Sequence, residues 1–262
     1  MYKIVFMDID NTLYSHKTNR IPPSALEAVE LMQKHGIKVF GCTGRHRIEL
    51  TGMGLDAFQP DGWVLLNGAM SSDKDGILCA DAMHREDLDV LKAEVRRKPF
   101  PLLVMTKDQV YLVAKHWFVY KILIRMNKRF IWKKSMDDIA NEEILMFVPV
   151  LFHKKLARIL SGMPHTVCVR WTPYVADCYD KNAGKGVGIA RVLEKYGIRK
   201  EEAAAFGDAD NDLSMFEAVG QAVCMGNGNA NAKAAADYIT SDIDEDGILN
   251  GVRHLFPELF AK

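Results

Sequence analysis

The sequence has no excess of charge of either sign, because 34 Lys and Arg are balanced by 34 Asp and Glu among its 262 residues. A neutral balance creates no global field for nucleic acid, an anionic membrane or an acidic partner. No apolar run approaches the roughly 20 residues that span a bilayer. The N-terminal stretch MYKIVFMDIDNT reaches polar residues too early for a signal peptide. We therefore expect a cytoplasmic protein that binds neither nucleic acid nor membranes.

Cysteine is also scarce, with five residues that are scattered and include no CxxC pair. This argues for reduced thiols and against a disulfide framework or a structural zinc site built on cysteine. The sequence has no internal repeat and no low-complexity tract. With 48% apolar and 26% charged residues, it is typical of a globular protein with one large domain or two modest ones.

Strand-like apolar runs alternate with helical patterns in the two terminal parts of the chain. We predict buried strands at 3–8, 37–41, 63–67, 203–208 and 221–226. The predicted helices are a helix capped by Ser24, a helix at 45–53 and a helix at 185–196. Continuous apolar strands joined by helices predict a doubly wound parallel sheet of the Rossmann-like α/β class.

The middle of the chain follows a different pattern. It predicts a helix at 84–97, a hairpin at 102–106 and 110–114, a strand at 144–150, a helix at 153–161 and a second hairpin that turns at Thr172-Pro173. Hairpins mixed with helices indicate an α+β domain inserted into the α/β one. We therefore predict an α/β core at 1–82 and 183–262 and an inserted domain at 83–182.

Seven Lys or Arg and several aromatic residues, without an acidic residue, lie within the stretch 115–134. Taken alone, this composition suggests a basic amphipathic helix for a membrane or nucleic acid. The alternative is a helix at about 116–130 that covers the first hairpin while its lysines extend to solvent. We favour the second interpretation.

The first chemical motif is the pair Asp8 and Asp10, directly after the first strand. Two carboxylates held this close repel each other unless a cation or a catalytic task requires them. A turn or capping cluster is the alternative.

The second motif, Thr43-Gly44-Arg45, offers a hydroxyl, amides and a cation to an anion at a helix start. Taken alone, the motif is better explained by an ordinary strand-to-helix turn.

The third motif is Lys185 at the start of a helix. It is not part of a P-loop, because the first glycine position is Tyr179 and the Ser/Thr position is Gly186. A solvated lysine is the alternative.

The fourth motif, 207–212, places three aspartates after a buried strand, which favours binding of a hard cation. An EF-hand is excluded, because its sixth and twelfth positions are Leu213 and Val219.

Taken together, the segments DIDNT, CTGR, AGKG, GDADND and RWTPYVAD resemble the haloacid dehalogenase superfamily. The resemblance covers essentially the whole chain and is closest to the Cof-like branch, whose α+β (C2-type) cap lies between the second and third motifs, and within it to bacterial sugar-phosphate phosphatases. One departure is Asn11, where glycine is usual. Because that position contributes mainly backbone, we expect little effect.

The resemblance implies a role for each motif residue. Asp8 is the expected nucleophile and Asp10 the expected acid and base. The expected Mg²⁺ ligands are the Asp8 side chain, the Asp10 backbone carbonyl and Asp208, with Asp212 anchoring a metal-bound water. The expected phosphate-binding residues are Thr43, Gly44, Arg45, Lys185 and Asn211.

The last hairpin supplies the candidate readers of the leaving group, namely Arg170, Trp171 and Asp177. Trp171 as a core residue and Arg170 as a solvated strand residue are the alternatives. The resemblance therefore implies a Mg²⁺-dependent phosphatase for a small phosphorylated metabolite, acting through an aspartyl-phosphate as a monomer or weak homodimer. A phosphomutase and a non-catalytic regulatory binding protein remain alternatives. A dehalogenase is disfavoured because carbon–halogen cleavage does not need the acid and base that Asp10 provides.

Overall fold

The computed structural model describes residues 2–51, 53–113, 119, 121, 130–133 and 135–261. The chain forms two compact units. The core unit comprises Met1–Thr43, Leu50–Cys79 and Gly184–Lys262, and the inserted unit comprises Gly44–Glu49 and Ala80–Ala183. The predicted class, an α/β core sheet with an inserted α+β part, is confirmed. The segment Gly44–Glu49 groups with the inserted unit, although the sequence analysis assigned it to the core.

An eight-stranded sheet forms the centre of the core unit. Its strands in chain order are β1 (Ile4–Asp8), β2 (Lys38–Cys42), β3 (Gly62–Leu65), β4 (Met70–Asp73), β5 (Gly76–Ala80), β12 (Ala203–Gly207), β13 (Gln221–Cys224) and β14 (Tyr238–Ile239). Their spatial order is β14-β13-β12-β1-β2-β3-β4-β5. β1 pairs in parallel with both β12 and β2, and all five of its residues are buried. A strand covered on both faces accounts for its continuous apolar sequence.

Helices of the core unit span Pro23–Lys34, Lys185–Tyr196, Leu213–Glu217, Ala230–Ala235 and Gly247–Leu255. The helix Lys185–Tyr196 follows a glycine and ends at Gly197, whose φ of 62° is left-handed. Glycine adopts this conformation without steric cost and therefore terminates the helix where the sequence predicted.

A six-stranded sheet forms the inserted unit, in the order β10-β11-β9-β6-β7-β8. Its strands are β6 (Leu102–Met105), β7 (Val110–Val113), β8 (Ile131–Lys133), β9 (Met146–Pro149), β10 (Thr166–Arg170) and β11 (Ala176–Asp180), and its helices span Arg47–Leu50, Arg85–Arg97 and His153–Leu160. Both predicted hairpins are present as antiparallel pairs, β6 with β7 and β10 with β11. The sheet and the two longer helices enclose a separate hydrophobic core.

Four elements differ from their prediction in extent or in being missed. The helix expected at 45–53 is a single turn, Arg47–Leu50. The sequence analysis missed β4 and β5, because the β4 sequence MSSD has no strand-like apolar pattern and the β5 sequence GILCA is short. β4 pairs antiparallel with β3, so the core sheet is mixed and not fully parallel. The strand expected at 63–67 ends at Leu65, because the next three residues turn with positive φ angles.

The predicted basic aromatic helix at about 116–130 lies, apart from residues 119, 121 and 130, outside the described residues. Within the part of the chain that the structure describes, no helix is both long enough and apolar enough to cross a membrane.

The turn that ends β3 is left-handed over three residues. The φ angles of Leu66, Asn67 and Gly68 are 54°, 53° and 89°. Each non-glycine residue in this region costs roughly 1–2 kcal/mol. Gly68 packs so closely on Gly184 that an added Cβ would overlap its carbonyl oxygen, and Lys185 follows immediately. The turn therefore supports the start of the helix that carries Lys185.

We expect Gly68→Ala to lower the free energy of unfolding by more than Gly36→Ala does. Both glycines have positive φ, but a Cβ at Gly36 meets no atom within 4 Å, so the control carries only the backbone cost of about 1–2 kcal/mol. Gly68→Ala adds a backbone clash to that cost. Urea unfolding of both variants measures the difference. Equal losses would show that the contact with Gly184 contributes nothing.

Candidate active site

Three of the motifs meet at one edge of the core sheet. Asp8 is the last residue of β1, Asp208 directly follows β12 and Thr43 directly follows β2. β12, β1 and β2 are neighbouring parallel strands, so their carboxyl ends lie side by side. This edge of an open α/β sheet is the usual place for a ligand.

Lys185 is the only lysine that reaches the centre of this edge among the described ion pairs. Its side chain is 1% exposed, and its Nζ donates to Asp8 Oδ1 and to Asp212 Oδ1, both at 2.6 Å. Burial alone would lower the pKa of Lys185, but the two carboxylates more than offset this effect and raise it well above its ordinary value. Lys185 is therefore a fixed positive charge, not the solvated lysine of the alternative interpretation.

Asp212 is held by the loop that follows β12. Its Oδ2 accepts hydrogen bonds from the backbone N–H of Asp208 at 2.9 Å and of Ala209 at 3.0 Å. This fold-back needs a glycine at position 207, because an added Cβ there would lie 2.7 Å from the Asp212 side chain. The geometry fixes Asp212 as a support for both the loop and Lys185.

The carboxyls outnumber the cations at this site. Burial raises the pKa of Asp8 well above its ordinary value; Lys185 opposes the shift, and the neighbouring aspartates add to it. Burial and the charge of Asp212 likewise raise the pKa of Asp208 to about 7, against a hydrogen bond of 3.1 Å that Thr12 Oγ1 donates to Asp208 Oδ1. One ammonium does not compensate these groups, so the site favours an additional positive charge.

A cation could be held by the side chains of Asp8, Asp208 and Asp212. One carboxylate oxygen from each lies within 4.8 Å of the others. We call these three residues the acidic cluster. All its donors are oxygen atoms, the ligand type that hard divalent cations prefer.

Asp10 lies beside the acidic cluster and is more exposed. Its carboxyl is 31% exposed, and Oδ1 forms a 2.7 Å hydrogen bond with Nε2 of His16. Asn11 has a φ of 62°, a conformation that asparagine tolerates better than most residues. Its backbone N–H donates to Tyr14 and its carbonyl accepts from Asn227, as expected of a position that contributes mainly backbone.

The proposed phosphate-binding residues fall into two groups. Thr43 is buried at the end of β2, and Lys185 and the partly buried Asn211 lie in the core unit as well. Gly44 and Arg45 belong to the inserted unit instead. Their role in binding phosphate stays a prediction.

The leaving-group candidates lie together in the hairpin of β10 and β11. Trp171 is 50% exposed, which excludes the alternative of a core residue, and its Nε1–H donates to Asp177 Oδ1 at 3.0 Å. Arg170 donates to the carbonyl of Pro173 at 3.2 Å, which tightens the turn. The hairpin therefore presents an aromatic face with an attached carboxylate.

Two contacts at the site were missed in the sequence analysis. Thr12 lies inside the first motif, and its spacing from Asp8 could have suggested a contact with the neighbouring strand end. No sequence signal identifies His16, because an irregular loop with a bridge between Asp10 and Tyr14 returns it to Asp10.

Comparison with known proteins agrees with this geometry. The family model of haloacid dehalogenase-like hydrolases matches residues 5–252. "Putative phosphatase YkrA" of Bacillus subtilis (strain 168) is 29% identical over 259 residues, which cover 97% of each chain. "Phosphoglycolate phosphatase 1" of Saccharolobus solfataricus is 26% identical over 249 residues, which cover 95% of this chain and 93% of the relative.

A solved structure matches the whole chain as well. The "HAD Subclass IIB Sugar Phosphatase BT4131" is 31% identical, with a TM-score of 0.87 over 97% of this chain and 98% of the other. The family model, the full-length relatives and the shared architecture all agree with the strand-edge site. The chain therefore belongs to the haloacid dehalogenase-like hydrolases, and it is an enzyme of the phosphatase type within that family.

Proposed function

We propose that the enzyme is a Mg²⁺-dependent phosphatase that hydrolyses small phosphate monoesters, with sugar phosphates as the expected substrates, through an aspartyl-phosphate on Asp8. The observation that carries the proposal is the buried 2.6 Å contact between Lys185 and Asp8 beside further carboxyls. A buried ion pair is a poor source of stability. A carboxylate and an ammonium fixed together at a strand end are well placed to receive a phosphoryl group.

The acidic cluster fits a magnesium ion. The Asp8 side chain, the Asp10 backbone carbonyl and the Asp208 side chain would hold it. Asp212 would anchor a metal-bound water and not bind the ion directly, since its oxygens already contact Lys185 and two backbone N–H groups. When bound, Mg²⁺ supplies the positive charge that lets a carboxylate and a phosphate dianion approach each other.

Asp8 acts as the nucleophile. One of its oxygens attacks phosphorus, the bond from phosphorus to the leaving oxygen breaks, and the Asp10 carboxyl donates a proton to that oxygen. Water then attacks the phosphorus of the aspartyl-phosphate, and Asp10 accepts a proton from the water. The bond between phosphorus and Asp8 breaks, which releases phosphate and restores the carboxylate. The greater exposure of Asp10 suits a group that must reach both leaving group and water.

Phosphate oxygens need donors that hold the phosphoryl group in line with the nucleophile. Lys185 supplies a fixed charge beside Asp8, and Thr43 and Asn211 supply neutral donors in the same unit. We include Gly44 and Arg45 by their place in the second motif. These residues contact the group common to all substrates, so their loss would affect every substrate alike.

The leaving group would be read by Arg170, Trp171 and Asp177. An exposed indole with a hydrogen-bonded carboxylate suits a hydroxyl-rich ring, which offers both an apolar face and donors. The name of the similar sugar phosphatase BT4131 supports the same substrate class. A cytoplasmic location and a monomeric or weakly dimeric state stay predictions.

The first prediction for this function concerns the metal. Excess EDTA should abolish phosphate release from p-nitrophenyl phosphate, and MgCl₂ in excess over EDTA should restore it. The reason is that uncompensated carboxyls repel each other and the phosphate. Asp208→Asn should raise the Mg²⁺ concentration needed for half-maximal activity. Undiminished turnover in EDTA would overturn the metal assignment.

The second prediction concerns the nucleophile. Asp8→Asn should lower kcat by about 10³-fold or more, because the amide is nearly isosteric but cannot form the covalent intermediate. Asp56→Asn, an exposed position of the same unit, is the matched control and should leave kcat unchanged. Circular dichroism checks that both variants fold. A near-normal kcat in folded Asp8→Asn would exclude Asp8 as the nucleophile.

The third prediction concerns specificity. Asp177→Ala and Trp171→Ala should raise KM for a hexose phosphate roughly tenfold, equivalent to about 1.4 kcal/mol of lost contacts. KM for p-nitrophenyl phosphate should change much less, because its leaving group lacks hydroxyls.

The control for specificity is Tyr174→Ala. Tyr174 is an exposed aromatic residue of the same hairpin, 49% exposed, and it packs edge-on against Phe152. The Tyr174→Ala variant should leave the KM values for both substrates nearly unchanged. Equal losses on both substrates in the Asp177 and Trp171 variants would remove these residues from the specificity role.

A further inference from the structure

A second group of potential metal ligands lies entirely within the inserted unit. His84 directly precedes the helix Arg85–Arg97, and Glu86 lies in its first turn. β10 and β11 pair Thr166 with Asp180, which places His165 beside the end of β11. The backbone N–H of Lys181 donates to the carbonyl of His165 at 2.7 Å and fixes this register. We call His84, Glu86, His165 and Asp180 the histidine–carboxylate cluster.

The side chains of this cluster are in contact with one another. His165 Nε2 contacts Glu86 Oε1 directly, and His84 Nε2 lies 3.5 Å from Asp180 Oδ2. The two imidazole rings stack with centroids 3.9 Å apart and planes 11° from parallel. One ligand atom each from His84, Glu86 and His165 lies within 4.8 Å of the other two.

Asp180 supplies an independent sign that a cation belongs here. The residue is only 5% exposed, and its Oδ1 accepts a hydrogen bond of 2.8 Å from the backbone N–H of Asn182. Its Oδ2 is buried and accepts no hydrogen bond from the residues that the structure describes. Leaving such an oxygen unsatisfied costs roughly 1–3 kcal/mol, and more for a charged group. This oxygen faces His84 Nε2, so the unsatisfied carboxylate points into the cluster.

Two carboxylates, those of Glu86 and Asp180, face the Nε2 atoms of the two imidazole rings. A divalent cation would compensate the charge of the carboxylates and accept lone pairs from the imidazole nitrogens. The scaffold is already fixed, because buried Asp87 accepts from the His165 backbone N–H at 3.0 Å and from Thr166 Oγ1 at 2.6 Å.

We propose that the histidine–carboxylate cluster binds a transition-metal dication of the zinc type. Imidazole nitrogen with carboxylate oxygen is a donor set that suits Zn²⁺, whereas Mg²⁺ prefers oxygen alone. The cluster therefore differs in ligand chemistry from the acidic cluster of the core unit. The metal joins the segments that begin and end the insertion, residues 84–86 and 180, to the turn at 165, and its role is structural.

Binding requires one ring to rotate. A metal ion lies near the plane of each imidazole that binds it, and two stacked rings cannot share one ion in both planes. His84 is the ring free to turn, because its side chain is 45% exposed. The backbone of His165 is held by Asp87, so His165 keeps its place.

The test is calorimetric titration of ZnCl₂ into the full-length enzyme in excess MgCl₂, which occupies the acidic cluster. We expect one equivalent of Zn²⁺ to bind. His84→Ala and His165→Ala should lose this equivalent, and Asp180→Asn should weaken it. His153→Ala removes an exposed histidine of the same unit and should leave binding unchanged.

Two further measurements make the outcome decisive. ZnCl₂ should slow amide hydrogen exchange at 84–88, 163–167 and 178–182 in the wild type and not in His84→Ala, which also shows whether that variant folds. Asp208→Asn tests whether Zn²⁺ binds instead at the acidic cluster of the core unit. The proposal is wrong if wild-type enzyme binds no Zn²⁺ under these conditions, or if binding survives both histidine variants and is lost in Asp208→Asn. These readouts do not depend on activity.

Discussion

The rest of the core unit depends on two buried ion pairs. Lys185 Nζ forms them with Asp8 Oδ1 and Asp212 Oδ1, at 2.6 Å each. A buried charge is tolerated only when its partners are in place, and removal of one partner typically costs about 3–5 kcal/mol. Much of the surrounding chain serves this arrangement. Gly68 packs on Gly184 to place the helix start, and Gly207 leaves room for Asp212 to fold back.

The same arrangement leaves the site short of positive charge. Lys185 does not offset the burial of Asp8, whose pKa stays well above its ordinary value, and the pKa of Asp208 is raised to about 7. In the proposed function Asp8 is the nucleophile and must be ionised to act, and further positive charge beside it favours the ionised form. A phosphate dianion cannot supply that charge, and a divalent cation can. The electrostatic deficit is therefore the physical reason for proposing that metal binding and catalysis are coupled.

The sequence could place several motif residues at one edge of the sheet, but it could not predict every element around them. Asp8 and Asp208 could be placed at one edge from the sequence because each lies at the end of an apolar strand, and parallel strands present their carboxyl ends at the same edge. The left-handed turn at 66–68 could not be predicted from the sequence. Leu66 has no local reason to adopt a positive φ and does so only through tertiary packing. The contact of His16 with Asp10 also depends on an irregular loop.

In the proposed function, the residues of the chemical step and those of substrate recognition have different structural constraints. Asp8, Lys185 and Asp212 are buried and paired, so changing any one of them removes at least one buried ion pair. Trp171 and Asp177 pair with each other on an exposed hairpin, where substitutions usually change stability by less than about 0.5 kcal/mol. In the proposed function, a change of substrate preference would therefore act through the exposed hairpin and leave the buried charges in place.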